Sequence, residues 1–430
     1  MAMAAQMYRP VSQQNPSAYF SLFRGVADGN HGPEHLPRRP TNESIGSRSS
    51  HAGLWITPTG WDVSRLLDLS DTVRAALNKG KRPTPTALDD LTFVLSIMIS
   101  GEMEDAPQSR GSTASQKVDL SVVERARLDK LLADITPKEE GADVSPKRKS
   151  AAPELWPSLE IARALEESWR ARFKREYFVI DERRCDSLLA GPLRDVLFSS
   201  TVLDEVEIRS QELAGLSEVE GVTHFTPGRW WFNLECAYRD GIVGANSERL
   251  TRGRYGTAAL PLLTGFEEDL PGGKTEYIRR GTQADMHFGL LTHLGRRTKI
   301  LRGFRLKSAY APQAGVRYDG LYNLASWSLK LCPCTNIYTL KVVLQRLPGQ
   351  KPMREVLEVP KPSQLDDWAL YEKLEEEAIK QREGAMKLTS WTTAREKERA
   401  EREHWRLTQD LQNEMRRSSE TGGSDVPSSW

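Results

Sequence analysis

The spacing of apolar residues along the chain changes period twice. From Trp61 to Ile135 it is helical, with Leu88, Leu91, Leu95 and Met98 on one face after the Pro83/Pro85 turn and Thr86 as N-cap. Ser121 and Glu124 form a capping-box pattern ahead of Leu128, Leu131, Leu132 and Ile135. Residues 101–118 lack apolar spacing and predict a loop. Ser158 opens another helix, in which Ile161, Leu165, Trp169 and Phe173 repeat every four residues, and a further helix is predicted over Val202–Leu213. From Arg229 the period becomes two. Trp230, Phe232, Leu234 and Cys236 alternate with Trp231, Asn233 and Glu235, and Tyr338, Leu340, Val342 and Leu344 alternate with Thr339, Lys341 and Gln345. Such alternation predicts half-buried strands over Arg229–Ala237 and Asn336–Leu347. Strand-like runs Tyr255–Leu263 and Val316–Trp327 lie between them, separated by glycine-rich turns, so a twisted sheet or barrel is expected. After Pro362 the pattern is helical again and highly charged. It has a Thr393/Glu396 capping box, the i,i+4 pairs Lys397–Glu401, Glu398–Arg402 and Arg399–Glu403, and a thin stripe of Leu407, Leu411 and Met415 that suits a partner.

These elements predict an α+β chain in seven parts: a disordered tail over 1–50, a helical region over 51–136 and a linker over 137–153. A helical segment over 154–221 then leads into a β-rich domain over 222–353, followed by a charged helix over 354–417 and a second tail over 418–430. Composition narrows the function classes. Hydrophobic residues make up 38% of the chain and charged residues 28%, a balance that fits folded segments joined by solvated ones. The net charge of +1 means that attraction to nucleic acid must come from local patches. No apolar run is long enough to span a membrane, and no secretory signal opens the chain. An intracellular, reduced setting follows for the four cysteines. They lack the paired spacing of zinc modules, and Cys332-Pro333-Cys334 reads as a turn before a strand. No metal site, cofactor or catalytic cluster is predicted. Lys147-Arg148-Lys149 fits a nuclear-import patch in the linker.

Three features of the β-rich domain converge. Gly265-Phe266-Glu267-Glu268-Asp269 presents a ring beside carboxylates in a turn, and Tyr277 follows across the Gly272-Gly273 turn. Between Tyr277 and Lys307, eight basic residues (Arg279, Arg280, Arg296, Arg297, Lys299, Arg302, Arg305, Lys307) face one acid, Asp285. Two rings, a carboxylate and a basic rim are the parts needed to hold an extruded base: stacking on its faces, accepting from its amine, and holding phosphates. Each part also has a plainer reading as core, solvated turn or charged surface.

The run Ser308–Tyr322, with Tyr310-Ala311-Pro312 followed by Arg317-Tyr318-Asp319-Gly320, resembles the signature of the SET- and RING-associated (SRA or YDG) domain. Trp231-Phe232 resembles that family's first strand, Gly265–Asp269 its acidic turn, Tyr277 its second pocket tyrosine, and Asn336–Leu347 its late strand. The resemblance covers 222–353 and implies a saddle-shaped, barrel-like domain that flips 5-methylcytosine out of duplex DNA. It implies that Phe266 and Tyr277 sandwich the base and Asp269 bonds its Watson–Crick edge. Arg279, Arg280, Arg296, Arg297, Lys299 and Arg302 would serve the DNA backbone, while Tyr310, Arg317, Tyr318, Asp319 and Gly320 would be structural. The chain departs from the family in having Phe266 for a tyrosine, a shorter segment between Phe266 and Tyr277, and Ile278 after Tyr277. It carries no RING, PHD or SET module. The expected role is a non-enzymatic nuclear reader of modified cytosine in double-stranded DNA, with chromatin proteins as partners of the helical regions. The alternatives are an interaction scaffold with a degenerate pocket and a modification-dependent nuclease. Because the charges after Pro362 alternate in sign, that helix is expected to be dispensable for DNA binding.

Overall fold

The computed structural model describes residues 55–57, 60–103, 117–136, 156–194, 196, 217–221, 224–286 and 294–421. The 1–50 tail, the Lys147-Arg148-Lys149 linker, the Val202–Leu213 helix and the end of the chain beyond Thr421 lie outside the described residues.

A two-residue pair, β1 (Ile56–Thr57) and β2 (Gly60–Trp61), precedes α1 (Val63–Asn78). The Asp62 carboxylate caps α1 by accepting from the backbone N–H groups of Ser64 and Arg65. In α2 (Pro85–Met103) the cap is Thr84 rather than Thr86. Its hydroxyl accepts from Ala87 N–H at 3.3 Å, because Pro85, which has no N–H to lose, takes the first helical position. The expected capping box at Ser121 is absent as well. Asp119 is the N-cap of α3 (Leu120–Arg125), and Arg127, at φ 56°, separates it from α4 (Leu128–Ile135). Helices α5 (Trp156–Phe173), α6 (Arg175–Phe178) and α7 (Ile180–Ala190) complete this half. Their apolar stripes close one core around Leu66, Val73, Leu91, Met98, Leu132 and Trp169.

The second half opens with β3 (Trp230–Trp231), but the alternation beyond it does not continue as a strand. Asn233 accepts from Cys236 N–H at 2.9 Å and starts α8 (Leu234–Arg239), so a short cap overrides the period-two pattern. Next come β4 (Thr251–Arg252), β5 (Thr257–Leu262), β6 (Phe266–Leu270), β7 (Lys274–Gly281), β8 (Arg297–Gly303), β9 (Val316–Cys332) and β10 (Ile337–Arg346). They form a sheet in the order β4-β5-β8-β9-β10-β7-β6, with β3 added to β9. Among the described strand pairs of this sheet the β5–β8 pair alone is parallel. The class is α+β, as expected, and of the expected sheet or barrel the described residues form a sheet running from β4 to β6 that does not close. Cys332 and Cys334 are exposed at the turn of the β9–β10 hairpin.

Past α9 (Met353–Val356), the expected single charged helix is two: α10 (Pro362–Glu383) and α11 (Ala385–Thr421), broken at Gly384, whose φ is 82°. The second runs past the expected end at residue 417. Trp368, Leu370 and Tyr371 of α10 are buried in one core with Trp231, Phe232, Leu301 and Tyr318 of the sheet region. On its other side, Asp366 takes two hydrogen bonds from Arg74 at 2.8 and 2.9 Å, and Ser363 N–H and Oγ donate to Asp71 at 2.7 and 2.8 Å. This helix therefore joins the helical half to the sheet, and deleting it would open the core rather than trim a solvated arm.

Candidate nucleic-acid interface

The β6–β7 hairpin decides which of the expected pocket residues meet. Gly265 enters it at φ 87°, where an added Cβ would lie 2.6 Å from the Ile278 carbonyl oxygen, so only glycine fits. The expected acidic turn is thereafter strand β6, with Phe266 opposite Ile278, Glu267 opposite Tyr277 and Asp269 opposite Thr275. Directly opposed residues share a face and neighbours alternate. Phe266 and Tyr277 accordingly lie on opposite faces of the hairpin, and the two-ring sandwich that the resemblance implies is not formed. Tyr277 has no exposed surface and packs in the core with Leu260, Ile300, Val342 and Leu344. Its hydroxyl donates to the Thr264 carbonyl oxygen at 3.1 Å and accepts from Arg279 at 3.4 Å. Burial pushes its pKa well above the usual phenol range.

Behind β6 runs a fully buried ionic chain. Arg302 grips Glu267 with two hydrogen bonds, at 2.8 and 2.9 Å, and donates to Asp319 at 2.8 Å and to Tyr322 Oη at 3.0 Å. Ser308 Oγ also donates to Glu267. Asp319 accepts two bonds from Arg317, which in turn donates to the carbonyl oxygens of Tyr310 and Val359. Two guanidiniums meet two carboxylates, so the buried charges cancel and each has the hydrogen bonds that burial requires. Tyr318 lies in the α10 core, and at Gly320 (φ 112°) a Cβ would meet Gln350 Oε1 at 2.5 Å. The Arg317–Gly320 run thus holds the acidic strand and the Tyr310 loop in fixed positions.

That fixing brings two groups to one opening. Asp269 is exposed, Tyr310 is half-buried, and the two side chains line one cleft, close enough for the Asp269 carboxylate to act on the Tyr310 phenol. Burial, then the charge of Asp269, raises the Tyr310 pKa to about 12, so the phenol stays protonated as a donor at neutral pH. The Arg302 guanidinium lies 5.3 Å from the centroid of its ring. A cleft of about 690 Å³ opens at Asp269, Ser308 and Tyr310, walled on the far side by Val359, Trp405 and Gln409. A second cavity of about 480 Å³ lies between Gly265-Phe266, Phe304 and α11. Tyr310 was assigned a structural part by resemblance. Its nearness to Asp269, and the approach of α11, come from contacts between distant segments that no local motif signals.

The basic residues divide. Arg280, Arg296 and Arg297 are exposed. Arg279 pairs with Glu248 at 2.7 Å. Lys299 and Arg302 have no exposed surface and cannot serve the DNA backbone as expected. Lys299 donates to the Ser217 carbonyl oxygen at 3.0 Å, and burial lowers its pKa to about 8. They lie three residues apart and so on opposite faces of β8, and both faces of this strand are covered, so neither side chain reaches solvent. Arg305 and Lys307 are paired with Glu398 and Glu401 of α11. Among the described residues, no group of three or more His, Cys, Asp or Glu side chains is placed to hold a metal ion. No described helix is long and apolar enough to cross a membrane.

No family model and no curated protein matches the chain. Solved structures do. Arabidopsis thaliana SUVH6 in complex with SAM is 17% identical, over 32% of this chain and 29% of that one, with a TM-score of 0.27. The modification-dependent TagI restriction endonuclease is 18% identical, over 30% of this chain and 52% of that one, with a TM-score of 0.26. The SUVH5 SRA domain in complex with hemimethylated CG DNA is 15% identical, over 31% of this chain and 96% of that one, with a TM-score of 0.26. The chain spans about a third of SUVH6 and half of TagI.

Proposed function

We propose that this protein recognises modified cytosine in duplex DNA by receiving the extruded base in the cleft at Asp269 and Tyr310. The observation that carries this reading is the meeting of those two side chains across the cleft, fixed from behind by Glu267, Arg302, Asp319 and Arg317. Asp269 supplies a pure acceptor for the exocyclic amine of cytosine. Tyr310 supplies a ring to stack on, steadied by Arg302 on its protein side. Phe266 borders the adjoining cavity and serves the flanking nucleotide rather than a sandwich with Tyr277. The exposed Arg280, Arg296 and Arg297 hold phosphates. The chain acts as a reader without chemistry on the base, and in the nucleus.

A scaffold role is the second reading. It is favoured by the burial of Tyr277, which leaves Ile278 opposite Phe266, and by Trp405 and Gln409 on the cleft wall. A duplex carrying 2-aminopurine beside the target cytosine separates the two. Base capture predicts a fluorescence rise on binding that Tyr310→Ala abolishes, and a cytosine-over-thymine preference that Asp269→Asn removes. Binding without any rise in fluorescence would exclude base capture, and no binding at low salt would leave the scaffold.

A further inference from the structure

Along α11, Arg399, Arg402 and Arg406 recur at intervals of three and four, on one helical face. Arg402 points inward. It donates to the Phe304 carbonyl oxygen at 2.9 Å, and its guanidinium lies 5.3 Å from the centroid of the Phe304 ring. Among the described residues none of the three arginines makes a salt bridge. On the helix, Glu398 is engaged by Arg305 at 3.0 Å and Glu401 by Lys307 at 3.6 Å, while the exposed Glu403 stands one turn from Arg399 without a salt bridge to it. These engagements are half-exposed and weak, so a stronger anion displaces them readily. Burial, and then the charges of Arg406 and Arg399, hold the Arg402 pKa below its usual value. A half-buried guanidinium with spare N–H groups faces the 480 Å³ cavity, whose opposite wall is Gly265-Phe266 and whose lining sets Arg305, Lys307, Arg395 and Arg399 against Glu372, Glu398 and Glu401.

We propose that this cavity is an anion site for a phosphate of the DNA strand, with Arg402 as the inner ligand, Arg399 flanking it, and Arg406 on the adjoining cleft at Asp269 and Tyr310. The inference rests on the reading of the chain as a duplex-DNA binder. The guanidinium fork matches two phosphate oxygens at once, which a lone lysine does not. An extruded nucleotide carries its own phosphates beside the pocket that takes its base, and the cavity adjoins that cleft at Gln313. A phosphate seated there competes with Glu398 and Glu401 and recruits Arg305 and Lys307 as further ligands. Helix α11 is then part of the DNA-binding surface, although it lies outside the segment that resembles the SRA domain.

The test is fluorescence anisotropy of an unmodified and a methylated duplex on the full chain, across a salt series. The wild type is compared with Arg399→Ala/Arg402→Ala/Arg406→Ala and with Arg402→Gln, which keeps a donor for the Phe304 carbonyl. The triple variant should lose about tenfold or more in affinity for both duplexes, and its salt slope should fall by roughly 2–3. Arg402→Gln should lose affinity in the same sense and to a smaller degree, with an unchanged melting curve. Equal affinity of the folded variants and the wild type would overturn the site, and a rise in affinity would make α11 a shield instead. Inorganic phosphate at matched ionic strength is the second arm. If it raises the wild-type melting temperature above that in chloride, while the variants bind DNA as well as the wild type does, the site takes a free anion and the DNA-phosphate assignment falls. If the wild type binds no duplex even at low salt, the DNA reading itself falls and takes the site with it.

Discussion

A side chain with no accessible surface, such as that of Tyr277, cannot stack on a ligand without local unfolding. Tyr277→Ala should therefore cost about 3–5 kcal/mol, as for other buried rings, and lower thermal stability and DNA binding together. Tyr277→Phe, which loses the bond to the Thr264 carbonyl oxygen and the longer one from Arg279, should cost about 1 kcal/mol and leave binding intact. A chemical denaturation curve for each variant beside a binding isotherm checks both, and Tyr277→Ala binding weakly at full stability would return this ring to the pocket. Glu235 makes a second residue-scale case. Burial, then the nearby charge of Glu375, raises its pKa from 4.5 to about 7. A folded-state pKa above the unfolded value means the folded form binds more protons between the two values. The stability it contributes is full below about pH 4.5 and is lost as the pH rises through 7. Glu235→Gln should remove that loss and raise the melting temperature at pH 8 by roughly 2–4 °C, with little change at pH 4. An equal effect at both pH values would show that the carboxyl titrates normally.

At the scale of elements, α10 and α11 differ in kind despite similar charge. The first buries Trp368, Leu370 and Tyr371 with the sheet region, whereas α11 has no side chain described as buried. Removing residues 385–430 should leave a cooperative melting transition, and removing 363–430 should abolish it; differential scanning calorimetry of the two truncations decides. A sharp transition for the shorter chain would mean that the α10 core is dispensable. Much of this layer was legible in the sequence. The period-two run over Asn336–Leu347 gave β10 to within a residue at each end, because that strand has a wet face and a dry face to pattern, whereas the strand-like run Val316–Trp327 found the start of β9 and stopped five residues short of its end at Cys332. The strand expected through Asn233 failed because one side-chain cap outweighs two alternating pairs. The partner of Phe266 was not legible either. Hairpin register is set by the turn between Leu270 and Lys274, and a one-residue change there moves every side chain to the other face. Nor could local pattern place Lys299 and Arg302, since their burial depends on Ser217, Glu267 and Asp319, segments remote in sequence.

At the scale of the molecule, the helical half and the sheet are joined through α10, where Arg74 meets Asp134 and Asp366 and Arg127 meets Asp367. Arg74 is almost fully buried whereas Asp134 and Asp366 keep some solvent, so Arg74→Met should be tolerated better than Asp366→Ala, which leaves the buried cation with Asp134 alone. Urea denaturation midpoints would rank the two, and the reverse order would show that the pair is a surface contact. The chain thus combines a cleft at Asp269 and Tyr310 backed by a buried ionic chain, an arginine-bearing helix along one side of it, and a helical body packed on both through α10. The central claim concerns what enters the cleft. One duplex, differing only in a single cytosine that is unmodified, hemimethylated, fully methylated or hydroxymethylated, should be titrated with the full chain by fluorescence anisotropy at fixed salt. The account predicts tighter binding to at least one modified duplex than to the unmodified one, and loss of that difference in Tyr310→Ala. Equal affinity for all four duplexes would contradict it.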